Sequence, residues 1–279
     1  MSAALVLAAA TVAAQASIDL ADVLSRAGLR VEQYYRRAES IVCLEKVTVQ
    51  PLVGAFTANG FARVLEYEVR VTWEAAPDGQ IPDATVTREL KRVNGRIAKP
   101  GDQPKCMDPR AISPEPLAFM LRSRRSDYIF AYAGSERDRK QPMMVLSYQT
   151  RADDRAEQLA TTKDDCSSFS VPDAFKGRVW LDPDTLDVRR VDQSAKRPFD
   201  VRVPYERGNF QTGTSFTIDR YNVSTRYRPV VFRDPDETVL LPESIEMLML
   251  VRGNARSGNR TTQTYSDYKR FITGGRIVK

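Results

Sequence analysis

The chain has 279 residues, 42% hydrophobic and 28% charged, with a formal net charge of +6. That balance belongs to a globular chain rather than a disordered one, and no uncharged apolar run reaches the ~20 residues a membrane-spanning helix needs. The sequence holds no histidine, which removes Ser-His-Asp and Cys-His catalysis, His-ligated zinc and an imidazole base. Its three cysteines, Cys43, Cys106 and Cys166, form no C-x-x-C, which removes a zinc ribbon or a thioredoxin-type dithiol.

The N-terminus reads as an export signal. Residues 3–14 are Ala, Leu, Val and one Thr, and Ala14-Gln15-Ala16 offers a small-x-small cleavage site. No basic residue precedes the run. Cleavage after about Ala16 predicts a mature domain over 17–279, periplasmic or secreted. The basic excess of an exported chain suits anionic lipid headgroups, with peripheral membrane contact, or an acidic protein partner. Plain solubility is the simpler account. Nothing in the chain is a nucleic-acid motif.

Ser17–Ile41 predicts an amphipathic helix. Leu20, Val23, Leu24, Ala27, Val31, Tyr34, Tyr35 and Ala38 fall at spacings of three and four. Ser17 or Asp19 can cap its start. Phe61–Glu74 has the strongest period-two pattern. Phe61, Arg63, Leu65, Tyr67, Val69, Val71 and Trp73 share one face, and the other is largely polar. Fourteen such residues at ~3.3 Å each span about 46 Å, too long to stay flat, so this strand twists and curves. Ala84–Val93, Asn94-Gly95 and Arg96–Ala98 predict a hairpin. Pro100–Pro116 reads as a proline-rich loop, and Leu117–Arg122 as a short helix with proline in its first turn. Strands follow at Asp127–Ala133 and Pro142–Thr150, then a charged excursion at Arg151–Asp165.

Gly177–Asp192 is the most informative stretch. Val179 and Leu181 alternate with Arg178, Trp180 and Asp182, Asp182-Pro183-Asp184-Thr185 supplies the turn, and Val188–Val191 returns. Asp182, Asp184 and Asp187 lack the glycine and distal Glu of an EF-hand, so they read as turn caps rather than metal ligands. Closing strands are expected at Thr214–Val231, Pro242–Arg252 and Arg260–Ile272. The count is ten or eleven strands and two helices without βαβ alternation.

A leading helix, a long antiparallel meander, a mid-chain helix and Gly-x-Val-Trp-Leu-Asp-Pro-x-Thr within Gly177–Val191 resemble the lipoprotein-localisation superfamily. That superfamily holds the periplasmic lipoprotein carrier, its outer-membrane receptor and the sensor domain of an envelope-stress regulator. The resemblance implies a mainly β fold, a long curved antiparallel sheet forming an unclosed half-barrel. Its concave face, lidded by helices, would hold acyl chains of a lipid or lipoprotein.

On that reading the cavity candidates are Phe61, Leu65, Tyr67, Val69, Val71 and Trp73 on the long strand, Phe119 and Met120 on the short helix, and Trp180 in the hairpin; core packing is the alternative for each. The expected function is a non-catalytic binder of an apolar ligand, with no cofactor and no catalytic residue. The alternative is an envelope interaction or sensor module without a small ligand. A Cys43–Cys106 disulfide with Cys166 unpaired is expected. An exported chain meets an oxidising compartment, and the loop after the fourth strand can bring Cys106 back to the edge where Cys43 begins the first.

Overall fold

The computed structural model describes residues 18–37, 41–54, 56–73, 84–102, 108, 115–152, 158–163, 166–203, 214–233, 236–252 and 256–270. The proposed signal at residues 1–16, and Cys106, lie outside them.

Helix α1 (Leu20–Arg37) begins at Asp19, whose Oδ1 accepts the backbone N–H of Ala21 and Asp22 at 3.0 and 3.1 Å. Its stripe Val23, Leu24, Ala27, Val31, Tyr34 and Tyr35 is buried, as its spacing predicts. The predicted helix ran on to residue 41, but Ile41 already opens a strand.

The strands are β1 (Ile41–Val53), β2 (Thr57–Ala58), β3 (Arg63–Trp73), β4 (Ala84–Val93), β5 (Arg96–Ile97), β6 (Tyr128–Asp138), β7 (Gln141–Thr150), β8 (Gln158–Leu159), β9 (Thr161–Lys163), β10 (Cys166–Ser168), β11 (Phe175–Leu181), β12 (Val188–Ala195), β13 (Phe199–Val203), β14 (Thr214–Arg233), β15 (Asp236–Arg252) and β16 (Arg256–Arg270). The main sheet runs β5-β4-β3-β1-β16-β15-β14-β12-β11-β7-β6 and does not close into a barrel, since its end strands do not pair with each other. Every pairing along this order is antiparallel. The expected half-barrel is therefore present, with more and longer strands than the sequence suggests. The extra ones are mostly pieces of two or three residues, and two of them lie in the predicted charged excursion.

Strands β14 and β15 are the longest and pair along nearly their whole length. Pro242 sits inside β15, where proline removes a ladder hydrogen bond. The register shifts there, between Arg226 and Tyr227 on the partner strand, so the proline falls at a bulge. That irregularity explains why a sequence reading starts this strand late.

One face of the sheet is covered by α1 and by two 3₁₀ turns, Glu115–Met120 and Arg125–Asp127, which together form a lid over residues 115–127. Under them Leu117, Met120, Leu121, Leu146, Val179, Leu181, Val191, Tyr227 and Leu241 form the main core with the helix stripe. A second core on the same face joins Cys43, Val47, Val49, Leu65, Tyr67, Val69, Val93, Ile245 and Tyr265.

The central hairpin forms as its sequence predicts. Asp182 Oδ1 accepts the backbone N–H of Asp184 and Thr185, both at 3.1 Å, and Arg189 pairs with Asp182 at 3.2 Å. Burial raises the Asp182 pKa, but those N–H groups and the Arg189 guanidinium outweigh it and hold the carboxyl below its ordinary value. Asp187 pairs with Arg30 at 2.7 Å and ties the hairpin to α1.

Cys43 is buried and has no disulfide partner among the described residues, which do not include Cys106, the partner expected for it. Cys43 lies opposite Val69, whereas Asp108, two residues beyond Cys106, is held by Arg63 six residues away along β3.

Candidate functional site

The face of β3 proposed as a ligand wall is core. Leu65, Tyr67 and Val69 are buried against β1, β4 and β16, and Val71 packs half-buried beside them. Tyr67 is locked by charge as well: the Arg88 guanidinium lies 4.1 Å over its ring. Arg88 also pairs at 2.7 Å with the buried Glu45, whose Oε1 accepts from Gln263 and Tyr265 at 3.0 Å. Phe61 precedes the strand and is fully exposed. The side chain of Trp73 lies outside the described residues.

Trp180 falls on the opposite face. It alternates with Val179 and Leu181 and packs on Met143 and Val145. Arg190 and Arg178 lie over its ring at 4.4 and 5.2 Å, and its Nε1–H donates to Glu136 at 3.1 Å. A tryptophan flanked by two guanidinium groups serves a surface network there, not a cavity. Met120 is fully buried beneath α1.

On the face covered by α1 and the lid, open space lies between the two cores. A cavity of about 810 Å³ sits beneath the lid, over the inner faces of β7, β11, β12, β14 and β15. Phe119, the one sequence candidate among the described side chains that reaches it, lines it with Tyr128, Tyr148, Phe175 and Tyr221, and with Val191, Val223 and Ile245. Phe119 stacks on Tyr148 at 4.3 Å between centroids and leans on Tyr128 at 5.8 Å and Phe130 at 6.1 Å. Burial raises the pKa of Tyr148, Tyr128 and Tyr221 above the ordinary phenol value, so all three are neutral hydroxyls near neutral pH. Arg124, Ser126, Asp127, Arg151 and Asp173 are exposed polar members of the lining, and the buried Thr150 and Thr225 and half-buried Gln193 add polar groups to the wall.

The elements that hold this wall are local. Gly177 stands opposite Tyr148 in the β7–β11 ladder. A Cβ there would come within 2.1 Å of the Asp192 carbonyl oxygen and 2.7 Å of the Tyr148 ring, so glycine is what lets the ring lie across β11. The lid is a run of tight turns, with Leu121, Arg124 and Asp127 N–H donating three residues back. Arg151 fastens its far end, donating Nε–H to Ser126 O at 2.9 Å and its backbone N–H to Asp127 O at 2.7 Å. Gly28 fastens the near end, because a Cβ there would meet Met120 O at 2.9 Å.

Sequence reasoning missed Tyr128, Tyr148, Phe175 and Tyr221. Each sits in or beside a period-two segment, but which face it occupies depends on sheet register. The available signal was Gly177, a glycine inside a strand that marks close approach of another group.

No protein-family model matches the chain, and no curated protein matches it. Solved structures similar to it include a LolA superfamily protein from Nitrosomonas europaea, 11% identical, with 94% of this chain and 98% of that one covered and a TM-score of 0.33. A putative outer membrane lipoprotein-sorting protein domain from Vibrio parahaemolyticus is 13% identical, with 91% and 94% covered and a TM-score of 0.37. A DUF1329 family protein from Desulfovibrio piger is 10% identical, with 93% and 96% covered and a TM-score of 0.41.

Proposed function

We propose that this is an exported, non-catalytic protein that binds an acyl or similarly apolar ligand in the cavity beneath the lid. The observation that carries the reading is the cavity itself. Its volume of about 810 Å³ lies within the ~300–1,000 Å³ of small-molecule sites, which are mostly apolar with a few polar groups at fixed points. Aromatic rings and aliphatic side chains form most of its walls, with Thr150, Gln193 and Thr225 as polar points, and its charged lining residues are exposed. Neutral, buried phenols suit hydrocarbon and offer neither nucleophile nor base at neutral pH.

An environment-sensitive naphthalene-sulfonate dye, displaced by saturated fatty acids of increasing chain length, tests this. Displacement should depend on chain length and weaken in Phe119→Ala. A ligand at a hundred times its Kd should stabilise the fold by ~2.7 kcal/mol. No stabilisation by any member of the series would end the proposal. The interaction-module alternative has one feature in its favour. Among the described residues β6 pairs on one side only, with Ile129 and Tyr132 each 43% exposed, and such an edge can accept a partner strand.

A further inference from the structure

The lid carries positive charge that the described residues do not fully neutralise. Residues 122–125 read Arg122-Ser123-Arg124-Arg125. Arg124 pairs with Asp127 at 3.3 Å, but among the described residues neither Arg122 nor Arg125 has a carboxylate in salt-bridge range. Arg125 lies against α1, where a Cβ on Gly28 would meet its guanidinium at 2.6 Å, and its Nε is buried without a hydrogen-bond partner. Burial, with Arg122 close by, lowers its pKa from the ordinary guanidinium value; Glu32 on α1 attracts it, but no ion pair joins them. Beside this contact Leu29 stands 55% exposed. Arg26 and Asp22 on the same helix neutralise each other at 3.4 Å.

Two guanidinium groups with no carboxylate partner among the described residues, one of them packed on α1 next to the exposed Leu29, match the chemistry of an anionic lipid surface, where headgroups take the charge and the interfacial layer takes the apolar tip. We infer that the lid and the adjoining face of α1 dock on anionic bilayers. The inference extends the reading of the cavity as a ligand site, since the same lid roofs that cavity and docking would set its mouth at the lipid surface. An acidic protein partner would use the arginines but gain less from Leu29, which favours the bilayer.

The test uses the full chain and sedimentation with phosphatidylcholine vesicles, with and without phosphatidylglycerol. Binding should require phosphatidylglycerol, weaken with added salt, and fall at least fivefold in Arg122→Glu/Arg125→Gln. The control Lys176→Glu/Arg260→Gln makes the same charge change on exposed residues of the opposite face and should fall less than twofold. If both pairs weaken binding alike, or neutral vesicles bind as well, the inference is overturned. Arg122→Glu alone, which leaves the packing of Arg125 on Gly28 in place, should give a partial loss if the double variant unfolds. Dye affinity in vesicle-free buffer separates the two proposals. It should survive the lid substitutions, whereas failure of the cavity would abolish it in the unaltered chain and leave vesicle binding intact.

Discussion

Gly177 and Cys43 show how single residues set the limits of this fold. Gly177→Ala would put a methyl group against the Asp192 carbonyl and the Tyr148 ring. The strand and the ring must both give way, so the substitution should cost ~1–3 kcal/mol in urea denaturation. It should also weaken dye binding, because Tyr148 is a wall of the cavity. A stable variant with unchanged dye affinity would show that Tyr148 does not depend on this glycine.

Burial pushes the Cys43 thiol up to about 12, with Glu45 adding to the shift. In the unfolded chain a thiol ionises near ~8.5. Between these values the unfolded state has released a proton that the folded state retains, so stability is complete below about pH 8.5 and is lost as pH rises toward 12. The buried phenols of Tyr227 and Tyr265, also raised, act in the same direction at higher pH. Urea denaturation at pH 7.5 and 10 should show the loss, and Cys43→Val should reduce it. Iodoacetamide should leave Cys43 unmodified in the folded protein and modify it once the chain is unfolded without reductant. Continued protection after unfolding would reveal a disulfide instead.

At the scale of elements, β3 is core where its sequence suggested a ligand wall, while the lid lines the cavity through Phe119. The long alternating strand was legible as a strand with one buried face, and that is what β3 is. What covers the buried face was not legible. Leu65, Tyr67 and Val69 meet Val47, Val93 and Tyr265 from other strands, and period-two spacing says nothing about the far side of a core. The helix stripe, the Asn94-Gly95 turn and the Asp182 turn were readable because each is fixed by residues a few positions apart. The cavity was not readable because Tyr148, Phe175 and Tyr221 come from three strands whose register only the assembled sheet defines. Leu65→Ala should therefore cost ~2–5 kcal/mol and leave the dye affinity of the folded fraction unchanged. Phe119→Ala should lower both stability and dye affinity, since Phe119 packs against Tyr148 and faces the cavity. Equal effects of the two on affinity would mean that β3 also lines the ligand site.

Across the whole molecule, the cavity follows from how an open sheet is covered. One core gathers under α1 and the lid, another where β1, β3, β4 and β16 curve together. Between them the inner faces of β14 and β15 expose Tyr221, Val223, Thr225 and Ile245 to the space beneath the lid. The same view bears on the first residues of the chain. Helix α1 takes its N-cap from Asp19, beyond the proposed cleavage after Ala16, so processing there would leave the capping hydrogen bonds in place. A chain beginning at Ser17 should accordingly match the thermal midpoint and dye affinity of the full-length protein. Intact-mass measurement of protein recovered from its native envelope should return a chain that starts near Ser17. Recovery of an unprocessed chain from the cytoplasm, or unfolding of the shortened one, would show that residues 1–16 belong to the working protein rather than to its export.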